Sequence, residues 1–160
     1  MMRMNRVRRG GATTIETSIV LTVFMLLIVG ILVCGIGVFR YQQVAWLSRE
    51  ASRWASTRGA EFEKESDRAC PTQQEIRDAA IVPYTIGMEP DQLTVNVEFV
   101  DAATDVAVPW DDGSKEIRSI STSGEYVTNR VRVTVTYRWL PGRLGRPMTL
   151  RSVSEHPLTN

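Results

Sequence analysis

An uncharged run from Thr17 to Phe39 constrains this chain more than any other feature. Its apolar and small residues cover roughly 23 positions, enough to cross the hydrocarbon core of a bilayer as one helix with some tilt. The leader before it carries Arg3, Arg6, Arg8 and Arg9 and no acid. By the positive-inside rule that leader stays in the cytoplasm and the bulk of the chain lies on the other side. A secretory signal has a similar general plan. This run is far longer than an h-region, however, and no small-x-small cleavage site stands after it at Phe39-Arg40-Tyr41, so a retained helix is expected. A lipoprotein reading fails as well, because bulky Val33 precedes Cys34 deep inside the run.

Composition bounds the part of the chain beyond the span. The 160 residues are 43% hydrophobic with a formal net charge of +1, which makes no case for nucleic acid. About 120 residues are left after the span, room for one modest soluble domain with a small core. Past Phe39 the helical pattern continues: Val44, Leu47, Ala51 and Trp54 recur at spacings of three and four, with Arg40, Arg49, Glu50, Arg53 and Arg58 on the polar faces. The pattern predicts one helix from about Thr13 to Arg58, stopped near Gly59 and about 70 Å long. Its apolar stripe is read first as packing against the chain's own domain, and second as a seam for a partner.

A polar connector from Glu61 to Ala69 leads to Thr72 and Glu75, whose spacing is that of a capping box. A short helix is expected from Gln73 to Ile81, ended by Pro83. The alternation of Leu93, Val95, Val97 and Phe99 predicts a half-buried strand, and that of Val131, Val133, Val135, Tyr137 and Trp139 a second, closed by Pro141-Gly142. A last strand, Met148 to Glu155, pairs back to complete an antiparallel sheet of three or four strands against the stalk or the short helix. The expected class is α+β: a long N-terminal transmembrane and stalk helix, then a small antiparallel sheet domain with one short helix. The bounds are 1–11 for the leader, 12–39 for the span, 40–59 for the stalk and 60–160 for the external domain.

Several tempting sites read more simply as ordinary structure. The acid-rich stretch from Asp101 to Asn129 has no calcium-loop spacing and is taken as a solvated hairpin tip; no metal site is expected. Cys34 lies in the span and Cys70 in the soluble part, too far apart to meet in one subunit. Cys70 is then a free thiol held by packing or a bridge between subunits. Gly30 and Cys34 have the small-xxx-small spacing that lets membrane helices approach closely. Arg132, Arg138 and Arg151 fall on a solvent face, where polar alternation needs no further role. The one histidine, His156, is expected in solvent, and no nucleophile, phosphate-loop or zinc motif is present. No catalytic residue and no cofactor is assigned, and no small-molecule substrate is expected.

Glu16 is the oddity, since a carboxylate at the edge of an apolar span costs on the order of 1–3 kcal/mol. One reading is a glutamate snorkelling to the membrane surface. The other comes from its surroundings: Gly11-Ala12-Thr13-Thr14-Ile15-Glu16 enters an apolar helix behind a short basic leader, and this resembles the cleavage motif of type IV prepilins in the short-leader form of the Tad (tight adherence) system. The segment Val44-Ala45-Trp46-Leu47-Ser48-Arg49-Glu50-Ala51-Ser52-Arg53-Trp54-Ala55 is similar to the Ala-rich segment after the membrane helix of TadE-like proteins. Ala45, Arg49, Glu50, Ala51, Arg53 and Ala55 match with slight shifts. Ser48 and Ser52 stand where the family has Ala and a small residue.

The resemblance implies a pilin-like architecture and cleavage by a prepilin peptidase between Gly11 and Ala12, leaving Glu16 fifth from the new N-terminus. The new ammonium on Ala12 then lies about one helical turn from Glu16, which neutralises it in the same or a neighbouring subunit. It further implies a minor pilin or pseudopilin of the bacterial inner membrane, with its C-terminal domain outside the cytoplasm. Its partners would be other pilin or pseudopilin subunits, Tad assembly proteins and the lipid bilayer, and its context pilus assembly and adhesion. The alternative is an uncleaved single-pass anchor whose small external domain binds another envelope protein.

Overall fold

The computed structural model describes residues 10–140 and 146–159. The chain divides into two compact units, Met1–Val38 and Phe39–Asn160. Helix α1, Gly10–Ser56, supplies all that is described of the first. There it is apolar all round and no part of its most apolar window is buried. Ile19, Leu26 and Ile31 stand 61–70% exposed. A helix of this kind is suited to a surrounding that is itself apolar. Its polar side chains turn onto their own backbone: Thr17 donates to the Thr13 carbonyl (2.7 Å), Ser18 to Thr14 (2.8 Å) and Thr22 to Ser18 (2.8 Å). Each hydroxyl is thus satisfied within the helix, as an apolar surrounding would require.

The second unit is a helix-on-sheet layer. Strands β1 (Leu93–Asp101), β2 (Val106–Pro109), β5 (Arg130–Trp139) and β6 (Met148–Pro157) form an antiparallel sheet in the order β2-β1-β5-β6. The register sets Val97 opposite Val133 and Leu93 opposite Tyr137, so the two predicted apolar rows lie side by side on one face. Against them pack Val44, Leu47, Ala51 and Ala55 of α1, together with Ile76 and Ala80 of α3 (Gln73–Ala80), all nearly or fully buried. The stripe on the upper helix is therefore a packing face. Burying Leu47 alone contributes roughly 1.5–3 kcal/mol.

Helix α3 carries the expected capping box: Thr72 Oγ1 accepts from Glu75 N–H, and the Glu75 carboxylate accepts from Thr72 N–H at 2.7 Å. The Gln73 side chain then accepts from Val97 N–H at 3.1 Å, capping β1 where β2 no longer covers it. The outer face of the sheet shows the expected polar rows. Arg132 sits across from both Glu98 and Glu155 and pairs with each, while Arg138 and Arg151 are exposed.

Three expectations change. The connector after Gly59 is helical, as α2 (Ala60–Ser66), although it buries no residue of its own. It is held from outside instead: the Arg58 guanidinium lies 4.0 Å over the Trp54 ring and 6.0 Å over Phe62, and Ala60 N–H bonds the Lys115 carbonyl. The supposed hairpin tip holds β2, a 3-10 turn at Trp110–Asp112 and a small hairpin of β3 (Arg118–Ile120) and β4 (Tyr126–Thr128). It also buries Trp110 completely, its Nε1–H donating to the Pro71 carbonyl at 2.7 Å. His156 is only partly exposed on β6, opposite Val131. The Pro141-Gly142 turn lies outside the described residues.

Candidate processing and assembly site

The residues singled out for processing fall in the first turns of α1, while the leader's Arg3, Arg6, Arg8 and Arg9 lie outside the described residues. The helix is described from Gly10 onward, and the Gly11–Ala12 bond has helical backbone. A protease that draws its substrate extended must unwind this turn. Glycine makes that easy, since each one disfavours helix by about 1 kcal/mol relative to alanine. Positions 12 and 16 stand one turn apart on a common face, as pairing an ammonium with a carboxylate requires. Glu16 is exposed and forms no hydrogen bond or ion pair among the described residues. It is placed to meet the charge that cleavage before Ala12 would create.

Further up the first unit, Gly30 and Gly35 have open space where a Cβ would stand, and Cys34 is exposed. Among the described residues nothing fills this small-residue notch, and such a surface lets another helix approach closely.

In the second unit the Ala-rich segment resolves into two roles. Ala45, Ala51 and Ala55 are buried, the last two in the core against the sheet. Arg49 is exposed, and Glu50 pairs with Arg53 at 2.9 Å on the outer face. Between these, Ser48 and Ser52 are wholly buried. Their hydroxyls meet Ser152 and Ser154 of β6, each at 2.9 Å, and Ser48 and Ser52 also donate to the carbonyls of Ala45 and Arg49. One turn on, the Ser56 carbonyl accepts from Thr159 N–H. A stripe at spacing four on the helix thus lies along a stripe at spacing two on the strand, and both use residues small enough for close approach. The two serines that depart from the resembled pattern thus face serines on the strand.

Residues 11–53 match the family model of TadE-like proteins. The TadE-like segment therefore begins at the glycine of the candidate cleavage site, includes Glu16, the apolar run and the notch at Gly30 and Cys34, and ends within the packed part of α1. It covers about a quarter of the chain. No curated protein and no solved structure matches the chain. The sheet beyond the TadE-like segment is thus described by its own geometry.

Two residues that organise that sheet carried no motif. Asn129 is fully buried. Its side chain donates to the Glu116 carbonyl (3.0 Å) and Ser119 Oγ (2.8 Å) and accepts from Ala102 N–H (2.8 Å), while its backbone joins Ile117 and Leu158. Gly113 lies so close to Phe99 that an added Cβ would stand 2.6 Å from the Phe99 Cβ. The acids nearby are occupied structurally: Asp111 accepts from Gln73 N–H at the start of α3, Asp105 pairs with Arg130, and Asp101 accepts from Ala103 N–H, a bond that lowers its pKa. Cys70 is half-buried and its thiol contacts the Glu63 carboxylate at 3.4 Å; burial first, then Glu63, pushes its pKa up. Such a thiol is a weak nucleophile.

Proposed function

We propose that this chain is a processed minor pilin or pseudopilin of a Tad-type pilus or secretion apparatus, entering assembly through its N-terminal helix. The observation that carries this reading is the TadE-like match, which starts at Gly11 and holds Glu16 at the spacing the cleavage motif requires. The chemistry is done to the protein: a prepilin peptidase hydrolyses the Gly11–Ala12 amide and removes the basic leader. The new ammonium of Ala12 meets a Glu16 carboxylate, its own or a neighbour's, so that neither charge enters the apolar region alone. The bare surface of the first unit packs against lipid and other subunits, with the N-terminus cytoplasmic and the sheet domain outside.

The second reading is an uncleaved single-pass anchor, favoured by the helical backbone at Gly11–Ala12. Mass spectrometry of the membrane-extracted protein, made beside its cognate peptidase, separates the two. The mature chain is expected to begin at Ala12. Recovery of intact Met1 or Met2 termini with the peptidase active would leave the anchor.

A further inference from the structure

The second unit begins where the apolar run ends, and the loop beside its first residues behaves unlike a solvated one. Residues 82–88 start as a 3-10 turn, Val82–Tyr84, and pass through Gly87 at φ 68°. Ile81, fully buried, and Met88, 6% exposed, hold both ends of the loop in the core. Backbone bonds from Tyr84 to Ile81 and from Met88 to Thr85 fix the path between. A side chain at Gly87 would press on the Arg40 guanidinium at 3.1 Å. This firmly held loop nevertheless presents Ile86 at 78% exposure, the highest of any large hydrophobic residue among those described, with Val82 and Tyr84 at 48% each. Trp46, 47% exposed, meets Tyr84 edge-on with ring centroids 5.0 Å apart.

The position of the loop says what covers it. The Ile86 carbonyl accepts from Arg40 Nη1 (3.2 Å) and Gln43 Nε2 (3.5 Å), so the loop lies beside the first turn after Phe39. One helical turn rises about 5.4 Å, and the headgroup layer beyond the hydrocarbon core is of similar depth. Trp, Tyr and an arginine beside an isoleucine are the residues that suit this layer. A second copy is poorly served here. The half-exposed side chains offer on the order of 400 Å², against roughly 800 Å² per partner in a stable interface.

We propose that the loop Val82–Met88 rests in the headgroup layer of the bilayer that α1 crosses, Ile86 reaching toward the acyl chains and Trp46 backing Tyr84 at the outer edge of that layer. The inference depends on α1 spanning the membrane, and its test reads the two separately. In the full chain with Cys34→Ser and Cys70→Ser, nitroxide labels are placed one at a time through Ile86→Cys, Tyr126→Cys and Val23→Cys. Each protein is reconstituted in phosphatidylethanolamine and phosphatidylglycerol vesicles, and collision with a water-soluble nickel chelate and with oxygen is measured. Labels at 86 and 23 are expected to be several-fold less accessible to nickel, and more to oxygen, than the label at 126. Nickel access at 86 equal to that at 126, with 23 still shielded, would overturn the docking while leaving the span intact. Access at 23 would overturn both. Shielding at 86 that disappears as lipid is raised over protein would assign the patch to a second copy and overturn the lipid assignment.

Discussion

The two parts of α1 obey different rules although they belong to one helix. Before Phe39 the residues are apolar in every direction, and the hydroxyls bond their own carbonyls one turn back. After Phe39 one side carries Val44, Leu47, Ala51 and Ala55 into the core, and the other carries Glu50 and Arg53 in water. The first part is specified by what surrounds it, the second by what it touches. That difference separates a segment whose surface is open to other neighbours from one committed to its own sheet.

The sharpest way to use this contrast is at the very start of the helix. Replacing Gly11 by a bulky residue is expected to abolish cleavage, because a side chain there obstructs the extended backbone in the protease. Glu16→Gln should leave cleavage intact yet give mature-sized protein with little in the pilus or secretion complex, since an ammonium left unpaired costs about 3–5 kcal/mol if fully buried. Immunoblots of membrane and pilus fractions measure both. Wild-type assembly of Glu16→Gln would make Glu16 a surface carboxylate.

Next in size is a matched pair of truncations. Leu47→Ala should lower the unfolding free energy of the sheet domain by about 2–5 kcal/mol, read by the near-UV signal of its tryptophans, Trp110 buried among them, in urea. Leu26→Ala, at a side chain 70% exposed, should leave that transition unmoved. An equal loss from both would erase the distinction between the two parts.

Hydroxyls give a finer version. Ser52→Ala leaves the Ser154 hydroxyl without its partner and should cost about 1 kcal/mol, with the double change Ser52→Ala and Ser154→Ala recovering part of it. Thr17→Ala and Ser18→Ala remove groups bonded only within the helix and should cost the domain nothing in the same urea titration. The smallest effect concerns the thiols. At mildly alkaline pH, where an ordinary thiol is partly ionised, Cys70 should alkylate with iodoacetamide several-fold more slowly than after unfolding in urea, because its raised pKa lowers the thiolate fraction. Cys34 in vesicles should stay unmodified, and mass spectrometry resolves the two.

The features legible along the chain were local and periodic. The capping box at Thr72 and Glu75 closes within four residues, and the alternations in β1 and β5 repeat long enough to show their faces. Helix α2 escaped because Ala60–Ser66 has a single large apolar residue, Phe62, and is held by Arg58 and Lys115 from outside its own span. Trp110 and Asn129 escaped for a related reason. A lone tryptophan among acids and a lone asparagine before a strand have no period, and their burial depends on partners up to 39 residues away.

By itself, then, the sequence determined the helix that can cross a bilayer, the glycine and glutamate at its start, and the two strands with one apolar face, because charge, spacing and period are properties of contiguous residues. The sheet order β2-β1-β5-β6, the serine seam between α1 and β6 and the Asn129 hub were decided only in the tertiary structure. Each joins groups distant along the chain, and a polar side chain shows whether it is a buried partner or a solvated one only when the group across from it is in place.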